Sequence, residues 1–219
     1  MNNNLNENFS DRMIDRIQWL GHGSFIIQGP PLIYINPWRV VRSVFHADVI
    51  LVSHDHYEHC SLADIEKLRG ESTLVIGNKN VASQIEGCKV LRPWQSITVD
   101  LASIKSVPAY STKKLLHPIE DGGLGFVISL NFFDIYYAGD TEDIPDMERI
   151  KPDIAILPID GNGTLNVTDA VEVVKKMRPR WVIPSNWGAV GDSATYLDAQ
   201  AFKEAVGGRA EVIIPQLTR

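Results

Sequence analysis

Eight residues, Ser53-His54-Asp55-His56-Tyr57-Glu58-His59-Cys60, constrain this chain more than any other stretch. They follow directly on a hydrophobic run, Ala47-Asp48-Val49-Ile50-Leu51-Val52. Three of the six histidines fall within six positions, with two acids between them. Burying that many titratable groups without partners is expensive. A metal ion satisfies them together, and imidazoles with carboxylates suit zinc, manganese or iron. His54 and His56, two apart after a strand end, can reach one cation. His59 lies three further on, where the chain has turned, and can face a second. Polar residues concentrated at the C-terminal end of a buried strand mark the usual place for chemistry in layered α/β folds.

The chain alternates short strands and helices. Ile14 to Leu20, Ser24 to Ile27 and Leu32 to Ile35 read as an antiparallel meander around Gly21-His22-Gly23 and Gly29-Pro30-Pro31. His22 fits a turn histidine hydrogen-bonded to backbone better than a site residue. Val49 to Val52 reads as a strand buried on both faces. Ser61 is placed to cap a helix over Leu62 to Leu68, stopped by Gly70. Thr73 to Ile76 is a strand and Asn80 to Glu86 a short helix. Lys89 to Leu91, Ile97 to Val99 and Ala102 to Val107 are further strands. A long mixed loop, Pro108 to Gly123, then carries Tyr110, Lys113, Lys114 and His117. A hairpin across Asn131 ends in Gly139-Asp140-Thr141. Ile154 to Pro158 and Trp181 to Pro184 are buried strands. The helix between them is capped by Thr168 and runs from Asp169 to Met177; a last helix covers Leu197 to Val206, and a last strand Glu211 to Ile214. The alternation places the chain in the α/β class.

Size and charge narrow the task. At 219 residues the chain suits one domain over 13–219, preceded by a loose polar leader over 1–12. A formal charge of −6 argues against nucleic acid as the main partner. No apolar run approaches the ~20 residues that span a bilayer, so no membrane role is expected. The start lacks the pattern of a signal peptide, and two cysteines make no disulfide framework. A cytoplasmic setting with a small-molecule substrate follows as the expectation, and homo-oligomer formation stays open. Cys60 reads as a small packed residue.

Four segments together resemble the metallo-β-lactamase superfamily, specifically its small stand-alone metal-dependent hydrolases related to L-ascorbate-6-phosphate lactonase. His54-Asp55-His56-Tyr57-Glu58-His59 resembles that superfamily's His-x-His-x-Asp-His signature. Tyr137-Ala138-Gly139-Asp140-Thr141 resembles the segment that supplies its bridging aspartate. His117-Pro118 resembles its third histidine, and Pro184-Ser185-Asn186-Trp187-Gly188 stands where it has Pro-x-His-aromatic-Gly. The resemblance runs from Trp19 to Val212. It implies a four-layer αββα sandwich of two mixed sheets with helices on both outer faces. It also implies one or two divalent cations, zinc first with manganese or iron as alternatives, that activate water for hydrolysis. Carried over by position, His54, His56 and His117 with Asp140 make one metal site; Glu58, His59, Asp140 and Asn186 make a second. Asp140 and Glu58 are the candidate catalytic acids, and Tyr110, Lys113 and Trp187 the candidate pocket residues.

Three positions depart from the pattern. Glu58 stands for an aspartate, Asn186 for the last histidine, and Asn36 for the aspartate of an Asp-Pro pair. The first site is intact. The second is expected to bind weakly, differently or not at all, because an amide is a poor ligand for a borderline metal. Glu58 is open as ligand or general base, and Asn186 as weak ligand or outer hydrogen-bonder. Two functions follow: hydrolysis of a small ester, lactone, amide or phosphorylated molecule, or a catalytically impaired homologue that serves as a binding or scaffold protein.

Overall fold

A computed structural model describes residues 12–41, 45–113, 116–189 and 191–218. Lys114 and nearly all of the expected leader lie outside them. Two mixed sheets form, one from each half of the chain. The first carries β1 (Ile17–Gly21), β2 (Ser24–Ile27), β3 (Ile33–Ile35), β4 (Val49–Leu51), β5 (Leu74–Gly77) and β6 (Lys89–Val90) in sequence order. The second runs from β7 (Ser96–Val99), β8 (Ala102–Pro108), β9 (Leu124–Leu130) and β10 (Phe133–Tyr137) to β11 (Ile154–Pro158), β12 (Trp181–Ser185) and β13 (Glu211–Val212). Each sheet begins as an antiparallel meander and continues in parallel, from β3–β4 in the first and β10–β11 in the second. Helices α1 (Leu62–Leu68), α2 (Lys79–Gln84), α3 (Val167–Met177) and α4 (Tyr196–Val206) supply the crossovers and the C-terminal arm. This is the metallo-β-lactamase type of sandwich that the sequence resemblance implies.

Alternation along β4 explains how the layers hold. Val49 and Leu51 join Phe25, Ile27, Ile35, Ile104 and Phe126 in the core between the sheets. Ile50 and Val52 point the other way, into a second cluster with Ile65, Leu68, Val75 and Val81 beneath α1 and α2. Both faces of the strand are buried, as its unbroken apolar run requires.

The helix ends differ from the sequence reading in instructive ways. Asn166, not Thr168, caps α3: its side chain accepts from the Asp169 amide at 2.9 Å, so the helix starts earlier. Asn78 likewise caps α2 by accepting from the Val81 amide. Ser61 precedes α1, but its hydroxyl donates to Asp64 at 2.8 Å and does not cap the backbone. The first expected strand loses its start to a 3-10 turn over Met13–Arg16. The hairpin from β9 to β10 turns at Asn131 and Phe132, both with positive φ as a tight two-residue turn demands.

Candidate metal centre

The site forms at one edge, where strands of both sheets end. Asn36 follows β3, the His54–His59 loop follows β4, Asp140 follows β10, Asp160 follows β11 and Asn186 follows β12. His22 comes from the turn between β1 and β2, and His117 from the loop between β8 and β9. Four of these residues hold left-handed backbone: His22 (φ 49°), Asn36 (45°), His117 (60°) and Asn186 (58°). Such strain persists only where surroundings enforce it. The His22 carbonyl accepts from the Trp19 indole at 2.9 Å and from the Asn186 amide at 3.1 Å. The Asn36 amide donates to the Leu51 carbonyl at 2.8 Å, and the His117 carbonyl accepts from the Ser111 amide at 2.8 Å.

His54, His56 and His117 converge, with Asp140 beside them. His117 Nε2 lies 3.3 Å from both His56 Nδ1 and Asp140 Oδ2, and His54 Nε2 lies 3.8 Å from Asp140 Oδ2. Ligands ~2.0–2.1 Å from a tetrahedral cation stand about 3.3 Å apart, so this spacing fits one. The outer nitrogens are engaged: His54 Nδ1 with the Ser53 hydroxyl at 3.0 Å, and His117 Nδ1 toward the Gly163 carbonyl at 3.4 Å. A carbonyl only accepts, so the His117 proton belongs on Nδ1 and a lone pair is left on Nε2. His54 Nε2 is fully buried with no hydrogen-bond partner among the described residues, a costly state that a cation relieves. Burial, then the neighbouring imidazoles, holds His54 well below the usual histidine range, so its ring is neutral at pH 7. Burial pushes Asp140 the other way, but His59, His54 and His117 outweigh it and hold the carboxyl well below its ordinary range. Three imidazoles and one carboxylate make a donor set suited to a divalent cation.

A second cluster lies alongside. His22, Glu58 and His59 bring ligand atoms together, and His59 Nε2 stands 3.3 Å from both His22 Nε2 and Asp140 Oδ2. Asn186 reaches Asp140 as a donor, Nδ2 to Oδ1 at 3.0 Å. Gly23 closes this side: a Cβ there would stand 2.9 Å from both His59 Cε1 and the Tyr137 hydroxyl.

The known proteins decide the lineage. Residues 16–186 match the beta-lactamase superfamily domain. The chain belongs to that superfamily. Among its relatives, a UPF0173 metal-dependent hydrolase from Thermococcus kodakarensis is 32% identical over 219 residues, covering 92% of this chain and 96% of the relative. A second, from Pyrococcus furiosus, is 30% identical and covers 91% and 95%. A crystal structure of a protein from Parabacteroides distasonis, provisionally named a metal-dependent hydrolase, superposes with a TM-score of 0.82 at 27% identity, covering 92% of this chain and 93% of that one.

Within this superfamily scaffold the residues singled out in the sequence divide. His54, His56, His59, His117, Asp140, Glu58 and Asn186 all meet at the centre. Tyr110 and Lys113 do not line its cavity. The Tyr110 backbone is stitched to Thr141 and Glu142, its hydroxyl donates to Asp146 at 3.4 Å, and Lys113 is exposed with its amide on Glu142. Trp187 stacks on Trp19 at 4.5 Å and lines a separate cavity of about 620 Å³ with Trp38 and Tyr196. Cys60 packs in the outer core, where burial raises its thiol to about 11.

Three residues at the centre were not chosen from the sequence as site residues. His22 is not a backbone-bonded turn histidine: its Nδ1 donates to Asp192 at 2.8 Å. Burial lowers its affinity for a proton, but Asp192, with Asp140 and Asp160, outweighs burial and raises it. Asp192 itself lies 170 residues away along the chain. Asp160, in the loop after β11, is held by the Thr164 hydroxyl, and burial together with the Asp140 charge raises its pKa. The signal for His22 was present, a histidine between two glycines. For Asp192 and Asp160 only the fold reveals the partner.

Proposed function

We propose that this chain is a metal-dependent hydrolase that cleaves a small ester, lactone, amide or phosphorylated molecule in the cytoplasm, with zinc the first choice of metal. The observation that carries the reading is the convergence of His54, His56, His117 and Asp140, with the buried His54 Nε2 unpartnered. The names of the relatives, metal-dependent hydrolases, support it. A divalent cation held there supplies Lewis acidity and lowers the pKa of a coordinated water.

The chain's own residues do the rest. His117 is fixed by Gly163 and His54 by Ser53, which orients their rings before any ligand arrives. Asp140 is restrained by the Asn186 amide on one oxygen and presents the other to the imidazoles. Glu58 has no hydrogen-bond or ion-pair partner among the described residues and stands beside His59, so it is the group free to take a proton. The cavity lined by Trp19, Trp38, Trp187 and Tyr196 flanks His22 and Asn186 and suits an apolar or aromatic part of the substrate. Arg39, stacked 4.1 Å over Trp38, offers a cation at its rim.

The test is hydrolysis of p-nitrophenyl esters, aryl lactones and p-nitrophenyl phosphate by zinc-loaded protein, with Glu58→Gln alongside. Turnover that EDTA abolishes, and that Glu58→Gln loses about 100-fold or more while keeping its zinc, supports the proposal. Bound zinc with no turnover on any of the substrates favours the impaired, binding-only homologue. Absence of bound zinc and of turnover removes both.

A further inference from the structure

The two imidazole clusters share a spacing but differ in what lies behind them. His59 packs its Nδ1 against Asn36, whose Nδ2 approaches to 2.8 Å. The amide cannot be turned around freely. Its Oδ1 accepts from the Ser53 backbone amide at 2.8 Å, and its Nδ2 also faces the Ser53 and Tyr137 hydroxyls at 2.9 and 2.8 Å. Flipping it would set two buried N–H donors against each other at Ser53. The NH2 has two hydrogens for these three neighbours, and the hydroxyls can turn to other partners, as Tyr137 does to the Gly23 carbonyl. A protonated His59 Nδ1 would instead aim its N–H at an amide nitrogen that cannot accept, so the 2.8 Å contact puts a lone pair on His59 Nδ1. The single proton of the neutral ring then sits on Nε2, the nitrogen that faces His22 and Asp140 at 3.3 Å each. His22 is the reverse case. Its Nδ1 donates to Asp192, so in the neutral ring the lone pair is on Nε2. The hydrogen bonds therefore run one way: Asn36 to His59, His59 to His22 or Asp140, and His22 to Asp192.

From this we infer that Asn36 sets the number of cations. Resting on the metal reading above, the proposal is that His59 presents a proton where a second cation would need a lone pair. The chain takes one divalent ion at His54, His56 and His117. His59 serves instead as a buried hydrogen-bond donor that positions Asp140. Neither the length of Glu58 nor the neutrality of Asn186 is needed for this outcome, because His22, Glu58, His59 and Asp140 would otherwise offer four donors to a second ion. An acid at position 36 would reverse it. A carboxylate accepts both from the Ser53 amide and from a proton on His59 Nδ1, which frees Nε2.

The experiment counts ions and locates the proton. Zinc-loaded protein with 15N-labelled histidine is read by long-range 1H–15N correlation, and zinc content is measured by elemental analysis, for the wild type and Asn36→Asp. The expected results are one zinc per chain with the His59 proton on Nε2 in the wild type, and two zinc with the proton on Nδ1 in the variant. A wild type that holds two zinc, a wild-type His59 protonated on Nδ1, or an Asn36→Asp protein that still holds one overturns the inference. No zinc in the wild type overturns the metal reading itself and is distinguished from those outcomes by the count. If Asn36→Asp does not fold, the wild-type spectrum and count decide alone.

Discussion

Two groups of imidazoles sit side by side at the edge of this sandwich, and by distance alone they are equals. His117 stands 3.3 Å from His56 and from Asp140; His59 stands 3.3 Å from His22 and from Asp140. Behind them they differ. His117 turns its outer nitrogen to a carbonyl, which accepts a hydrogen bond from it. His59 turns its outer nitrogen to an amide NH2, which donates one. A ligand cluster is therefore defined by the partners of the far nitrogens as much as by the spacing of the near ones. The comparison also explains why one group contains an orphaned nitrogen, His54 Nε2, while every ring of the other has its nitrogens paired.

Breaking the comparison at its strong side has the largest expected effect. His54→Ala removes a donor that nothing else in the cavity replaces. Zinc affinity, measured by competition with a chromogenic chelator, should fall by more than the ~10–100-fold that loss of an outer partner costs. His22→Ala should leave it within a few-fold. Equal losses in the two variants would mean that both clusters share the cation.

Acidity separates the clusters next, because His54 in one and His22 in the other are shifted in opposite directions. His54 is held below its ordinary value, so between its folded pKa and about 6.5 the unfolded chain binds a proton that the folded one does not. Stability of the chelated protein falls as pH drops below about 6.5, and His54→Gln should flatten that fall. His22 is held above its ordinary value; its contribution is complete below about 6.5 and is lost as pH rises through the folded pKa. Asp192→Asn should therefore cost more at pH 6 than at pH 8. Thermal melts in EDTA from pH 5.5 to 8.5 check both signs, and parallel profiles for the two variants would contradict them.

What the sequence made legible follows from where the information lies. The apolar run of β4 and the histidines after it are local, and both the strand and the converging loop are where the pattern puts them. The strand–helix alternation likewise placed the chain in the α/β class, because burial on one or both faces writes a period into the chain, whereas the pairing of two mixed sheets came with the family resemblance. Cap positions failed where two candidates compete: Asn166 and Thr168 both suit an N-cap, and only the path of the loop before α3 selects the first. His22 was misread because its partner Asp192 is distant in sequence, and a glycine-flanked histidine reads as a turn until the fold closes. The three departures were visible as residue types. What Asn36 does could not be, since it depends on which end of its amide the Ser53 backbone claims.

Smaller perturbations sharpen the contrast. Gly23→Ala would press a methyl into His59 and the Tyr137 hydroxyl, at a cost of about 1–3 kcal/mol in chemical denaturation. Because that pressure falls on the His59 side, zinc affinity at His54, His56 and His117 should change much less than stability does. At the small end, Asn166→Ala removes the α3 cap at the end of the loop whose Gly163 carbonyl orients His117, with an expected loss of about 1 kcal/mol and at most a few-fold change in zinc affinity. A larger change would show that this loop holds His117 more tightly than its single carbonyl contact suggests.

The most direct check is the zinc held per chain after exhaustive dialysis of zinc-saturated protein, measured on the wild type and on His54→Ala. One ion in the wild type and none in the variant is the predicted pair. No retained ion in the wild type, or an undiminished ion in His54→Ala, would contradict the central claim.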